Sequence, residues 1–197
     1  MKFLALLVMA FALNTEATIY NSKAIVHPEV GKNGMVVSQH YLATNAGHSI
    51  LAEGGNAYDA SIAVAFALAV VLPRAGNIGG GGFMVMFDEA SQESYSIDYR
   101  EIAPEAATKN MFLASDGSVD KKRATQGVLS IGVPGTVYGM WEVHKKFGSL
   151  PWSTLLAPAI ELAEEGFLIS PFMADALNKR YKKLGKYKNF KNIFYSN

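Results

Sequence analysis

Apolar positions along this chain fall into two rhythms, helical spacing and short unbroken runs. Met35-Val36-Val37, between Gly34 and Ser38, is a short run that predicts a buried strand. From Tyr41 to Glu53, Leu42, Ala46, Ser49 and Ile50 recur at helical spacing, with Ala43 and Leu51 beside them. Gly54-Gly55 ends that helix, because glycine accepts the left-handed conformation of a helix C-terminus. Asn56 is placed to cap a second helix, Ala57 to Leu72, which stops at Pro73. Its sequence is apolar on nearly every face, the signature of a central core helix or a membrane span. Asp59 sits in its first turn and the unbroken apolar stretch is about 13 residues, too short for a bilayer. A core helix is therefore expected, and no stable membrane insertion.

The rhythm then shortens. Phe83 to Phe87, a polar turn over Asp88 to Ser94, and Tyr95 to Arg100 predict a β-hairpin. Residues 103–126 are polar with scattered apolar anchors and predict a loop-rich excursion. Helices are expected from about Val137 to Phe147, from Trp152 to Glu165 with Gly166 at the end, and from Ser170-Pro171, where serine caps and proline takes the first helical position. Neither an internal repeat nor a linker divides residues 18–197, so one domain is expected.

The amino terminus reads as an address. Met1-Lys2 precedes an apolar run from Phe3 to Leu13, and a small-x-small ending follows at Thr15-Glu16-Ala17. This is the pattern of a signal peptide over residues 1–17, with cleavage after Ala17, or alternatively after Ala12. Eleven residues rise only about 16 Å as a helix, against a bilayer core of about 30 Å. A periplasmic or secreted location follows as an expectation.

Composition narrows the chemistry. The 197 residues contain no cysteine, which excludes disulfides, thiol nucleophiles and Cys-type metal centres. Half the residues are hydrophobic and 18% are charged, which excludes wholesale disorder. The net charge of +1 hides a split. Residues 179–197 hold seven Lys and Arg and no acid, leaving 11 basic against 17 acidic residues elsewhere. A solvated helix face accounts for such a tail, and no nucleic-acid-binding fold accompanies it.

Most motif matches fail on context. The glycine tract, Gly76 and then Gly79 to Gly82, lacks dinucleotide-binding spacing, because the third glycine would fall on Met84 or Val85. It also lies between a helix and a strand, the reverse of the order a phosphate loop needs. Its glycines suit close backbone packing, or the lining of a pocket. Ser118-Val119-Asp120-Lys121 matches Ser-x-x-Lys by chance in a polar turn. His27, His40, His48 and His144 form no ligand pair, so neither a metal nor a cofactor is expected. Arg100 stands out. It ends a predicted strand between Asp98 and Glu101, where it can grip a carboxylate bidentately or simply pair with a neighbouring acid.

Five segments together resemble the gamma-glutamyltransferase (gamma-glutamyltranspeptidase) family. They are Met35–Ser38 with Leu42-Ala43, Ile50–Ala60, Gly76–Met84, Asp98–Glu101 with Ala103-Pro104, and Gly132–Thr136. Their order and spacing make the likeness specific. The resemblance implies an α+β fold, the four-layer αββα sandwich of the N-terminal nucleophile hydrolases. It implies a precursor that cuts itself into large and small subunits, with a threonine at the new amino terminus of the small subunit as nucleophile. Glutathione and other γ-glutamyl compounds would be the substrates, the acyl group passing to water or to an amino acid or peptide. Arg100 would bind the substrate α-carboxylate.

The seven threonines, at 15, 18, 44, 108, 125, 136 and 154, include none in the nucleophile's context. The resemblance therefore assigns no catalytic residue to these 197 residues. The expectation is an incomplete sandwich missing its C-terminal part and the small subunit, inactive alone, with the Ala57–Leu72 helix exposing apolar surface. A related cephalosporin-acylase-type amidase and a non-catalytic exported remnant are the alternatives.

Overall fold

The computed structural model describes residues 29–75 and 77–195, so the signal-peptide expectation lies outside the described residues. The unit beginning at Asn33 carries every regular element found among the described residues and is mixed α and β. Helix α1 spans Tyr41–Ala52 and α2 spans Ala57–Val71. Between them Gly54 takes φ +92°, and the Gly55 N–H returns to the Ile50 carbonyl at 2.9 Å. Asn56 caps α2 as its sequence suggests: its Oδ1 accepts from the N–H of Tyr58 and Asp59, while the Asp59 carboxylate accepts from the Asn56 N–H.

Strands β1 (Phe83–Asp88) and β2 (Glu93–Asp98) form the antiparallel hairpin. The remaining helices are α3 (Lys121–Thr125), α4 (Thr136–Phe147), α5 (Trp152–Glu165), α6 (Pro171–Leu184) and α7 (Lys188–Phe194). Ser170 caps α6 through its hydroxyl, with Pro171 in the first turn. The excursion after Ala103 is largely irregular, although α3 and a short 3-10 turn at Val128–Ser130 lie in or beside it.

Helix α2 is the hub. It packs on α1, α4 and α5. Gly47 of α1 lets the two helices close together, since a Cβ there would sit 2.6 Å from Val64 and 2.9 Å from Val36. One core cluster joins Ile50, Ile62, Met140, Val143 and Leu155, and a second joins Ala43, Ala46, Ala67 and Val71. The inner face of the hairpin, Met84, Met86 and Ile97, lies against the first cluster.

Two expectations are corrected. Met35–Ser38 makes no strand among the described residues. Val36 packs on the core while Val37 is 81% exposed, so one face is buried and no neighbouring backbone supplies a ladder. Helix α2 exposes less apolar surface than expected of it, because α1, α4 and α5 pack on it: Ile62 and Val71 are buried, and Val64, Phe66, Leu68 and Val70 are half-buried. Exposure falls instead on the outer face of β1, where Phe83, Val85 and Phe87 are 63%, 84% and 55% accessible.

Candidate functional site

Arg100 owes its position to glycines on both sides of the chain that carries it. The Tyr99 N–H donates to the Gly82 carbonyl at 2.9 Å, one residue past the end of β2. On one side Gly81 lies so close that a Cβ would stand 2.5 Å from the Tyr99 carbonyl oxygen. On the other, a Cβ on Gly135 would collide with the same carbonyl, and one on Gly139 with the Tyr99 ring. The segment Tyr99-Arg100 is thus sandwiched between the glycine tract and the start of α4, at a spacing no side chain permits. An antiparallel bridge between Ile102 and Val133 continues the contact, at 3.3 and 2.9 Å.

The glycine tract is itself anchored. Asn77 to Gly80 form a turn, with the Gly80 N–H donating to the Asn77 carbonyl at 2.9 Å and the Gly79 N–H to Asn77 Oδ1 at 2.8 Å. The Gly80 carbonyl then accepts from two N–H groups at the start of α4, Gly135 at 2.9 Å and Thr136 at 3.1 Å. These are donors a helix start leaves without intrahelical partners. The Thr136 hydroxyl donates to the Asn77 carbonyl at 3.0 Å.

The result is an open depression of about 530 Å³ lined by Asn77, Gly79, Gly80, Gly81, Arg100 and Glu101. The Arg100 side chain is 64% exposed. Its Nε lies 3.5 Å from Glu101 Oε2, and its guanidinium carbon lies 5.9 Å from the centre of the Phe83 ring. Asp98 does not pair with the guanidinium; its Oδ1 accepts the Arg100 backbone N–H at 2.9 Å and so turns the strand end. The guanidinium is held at its Nε edge by a single long ion pair. One positive charge and one carboxylate therefore line the same depression, a set suited to an amino-acid-like ligand carrying both charges. Tyr99, beneath, has its phenol pushed above the ordinary value of 10.0 by burial.

Other candidates from the sequence do not converge here. The Ser118 hydroxyl bonds Asp116 at 2.7 Å in an exposed turn, and those hydrogen bonds lower the Asp116 carboxyl. His40 accepts the Leu42 N–H at the start of α1, and His144 Nε2 lies 2.8 Å from the Leu150 carbonyl in a cluster with Trp141 and Trp152. Among the described residues no three His, Asp or Glu side chains group as a metal site would require. Thr136 and Asn77 escaped the sequence reading. Gly132 to Thr136 marks a helix start, but nothing in the sequence pairs position 136 with position 77.

The chain matches the family model described as Gamma-glutamyltranspeptidase over residues 43–197. It is 49% identical over 137 residues to a glutathione hydrolase proenzyme of Pseudomonas aeruginosa, covering 70% of this chain and 24% of that protein. It is 43% identical over 173 residues to a glutathione hydrolase proenzyme of Escherichia coli, covering 87% and 30%. Among solved structures, Helicobacter pylori gamma-glutamyltranspeptidase superposes with a TM-score of 0.81 at 47% identity, covering 86% of this chain and 48% of that one. The chain thus spans less than a third of the length of these two curated relatives.

Proposed function

As this chain belongs to the gamma-glutamyltranspeptidase family, we propose that it forms the N-terminal part of a glutathione hydrolase in which Arg100 binds the α-carboxylate of the γ-glutamyl group. The observation that carries this reading is the placement of Arg100. Its fork is exposed at a pocket, and its backbone is clamped by Gly81 and Gly135. Two parallel N–H···O bonds from a guanidinium would fix both position and orientation of a substrate carboxylate. Glu101, on the same rim, is placed to meet the substrate ammonium.

The reaction itself belongs to sequence beyond these residues. A threonine hydroxyl there attacks the γ-amide carbonyl, its proton passing to the threonine's own α-amine. The amine of the leaving peptide departs with a proton, and an acyl ester remains. Water or an amino acid then takes the glutamyl group and restores the hydroxyl. Such acyl transfer needs no cofactor. In this reading a small subunit completes an αββα sandwich over the outer face of the hairpin, and residues 1–17 direct the protein to the periplasm or outside the cell.

The test is substitution of Arg100 in the complete precursor, assayed with a chromogenic γ-glutamyl amide. Arg100→Ala is expected to cost about 2–5 kcal/mol in kcat/KM, the penalty for unpairing a charged group at a binding site. The 197-residue chain alone is expected to release no chromophore. An Arg100→Ala enzyme of normal kcat/KM, or turnover by the isolated chain, would refute the corresponding part of the reading.

A further inference from the structure

The wall opposite Arg100 points to a second determinant of the pocket. We propose that Thr136 is a positioning residue, which sets the width of the pocket by tying the Asn77–Gly80 turn to the start of α4. The proposal rests on the reading of Arg100 given above.

Three hydrogen bonds join that turn to the helix. Two come from backbone N–H groups of Gly135 and Thr136 to the Gly80 carbonyl and involve no side chain. The third, from the Thr136 hydroxyl to the Asn77 carbonyl at 3.0 Å, depends on a side chain. It bridges positions 59 apart in sequence and lands on the carbonyl that also closes the turn by accepting the Gly80 N–H. One oxygen therefore couples the internal geometry of the turn to its distance from α4.

The start of α4 is in turn packed against the backbone of Tyr99, next to Arg100, with no room at Gly135 for a Cβ. The Thr136 hydroxyl and the Arg100 backbone are thus referred to one rigid point. Without the hydroxyl, the turn is tied to α4 only through the Gly80 carbonyl, and its Asn77 end is held only by bonds internal to the turn. Asn77 and Gly79 can then move outward about Gly80, while Arg100 stays in place. Substrate binding weakens and the chemical step, supplied elsewhere, is untouched.

The experiment compares Thr136→Val, Thr136→Ser and Arg100→Lys in the complete precursor, with a γ-glutamyl anilide as substrate. Thr136→Val keeps the shape and removes the donor. It is expected to raise KM about tenfold with kcat within about twofold, the signature of lost binding, at a melting temperature close to the parent's. Thr136→Ser restores the hydroxyl and should return KM to within about twofold of the parent. An unchanged KM in Thr136→Val, or a Ser variant as impaired as the Val variant, overturns the proposal. If Arg100→Lys also leaves KM unchanged, the carboxylate-binding reading falls with it; a raised KM in Arg100→Lys alone sinks only the role of Thr136. Should Thr136→Val not fold, Thr136→Ala removes the same hydroxyl donor with less apolar bulk. A raised KM is expected there too, and an unchanged KM overturns the proposal.

Discussion

At the scale of single residues, Tyr99 joins the core to the candidate site. Its ring lies against Gly82 and Gly139, and its backbone is the strip gripped by Gly81 and Gly135. Burial holds the phenol above its ordinary value of 10.0, so the folded state favours the protonated ring. The sign follows from linkage. A raised folded value stabilises fully below the unfolded value and is lost as pH rises through the folded one. The 197-residue chain should therefore lose stability above about pH 10, and Tyr99→Phe should flatten part of that loss, since burial alone raises this phenol. Tyr58 and Tyr95, also raised, would retain the remainder. Chemical denaturation of parent and variant at pH 8 and pH 10.5 measures it; parallel losses would discard this account of Tyr99.

At the scale of elements, α2 and α4 are stapled at their ends by a polar network under the core. Asp59 is fully buried, and its carboxylate accepts from the Asn56 N–H at 3.1 Å and from the Ser149 N–H and hydroxyl. Asn56 Nδ2 donates to the Phe147 carbonyl at 2.7 Å. One carboxylate thus closes the capping box of α2 and orders the loop after α4. Asp59→Ala leaves those donors buried without partners and should destabilise the chain by about 2–4 kcal/mol, read from urea unfolding. A loss below about 0.5 kcal/mol, the usual range of surface changes, would mean the network is not structural. The Asn56 cap was legible because Asn-x-x-Asp before an apolar run is a helix-start signal. The link to Ser149 was not, since it joins residues 90 apart.

At the scale of the molecule, the hairpin is the unfinished part. Its inner face meets the helices, while Phe83, Val85 and Phe87 project from the other side opposite Asp98, Ser96 and Ser94. An uncovered apolar sheet face favours association. Expressed alone, the chain should self-associate or aggregate, and Val85→Lys should reduce this without altering the helices, as light scattering and circular dichroism would show. A parent chain that stays monomeric at high concentration would refute the expectation.

By itself the sequence determined α1, α2, α4, α5 and the start of α6, the Asn56 and Ser170 caps, the hairpin and the family, because these are written in local spacing, turn chemistry and ordered motifs; it did not show the short helices α3 and α7. It also singled out Arg100, since an arginine at a strand end among such motifs is visible without coordinates. Only the tertiary structure decided that α1, α4 and α5 pack on α2, that Met35–Ser38 finds no ladder among the described residues, and that Gly81, Gly135 and Thr136 meet around one strand end. Burial, strand pairing and close backbone approach depend on residues distant along the chain, and neither hydrophobic period nor turn signal encodes which distant partners will meet.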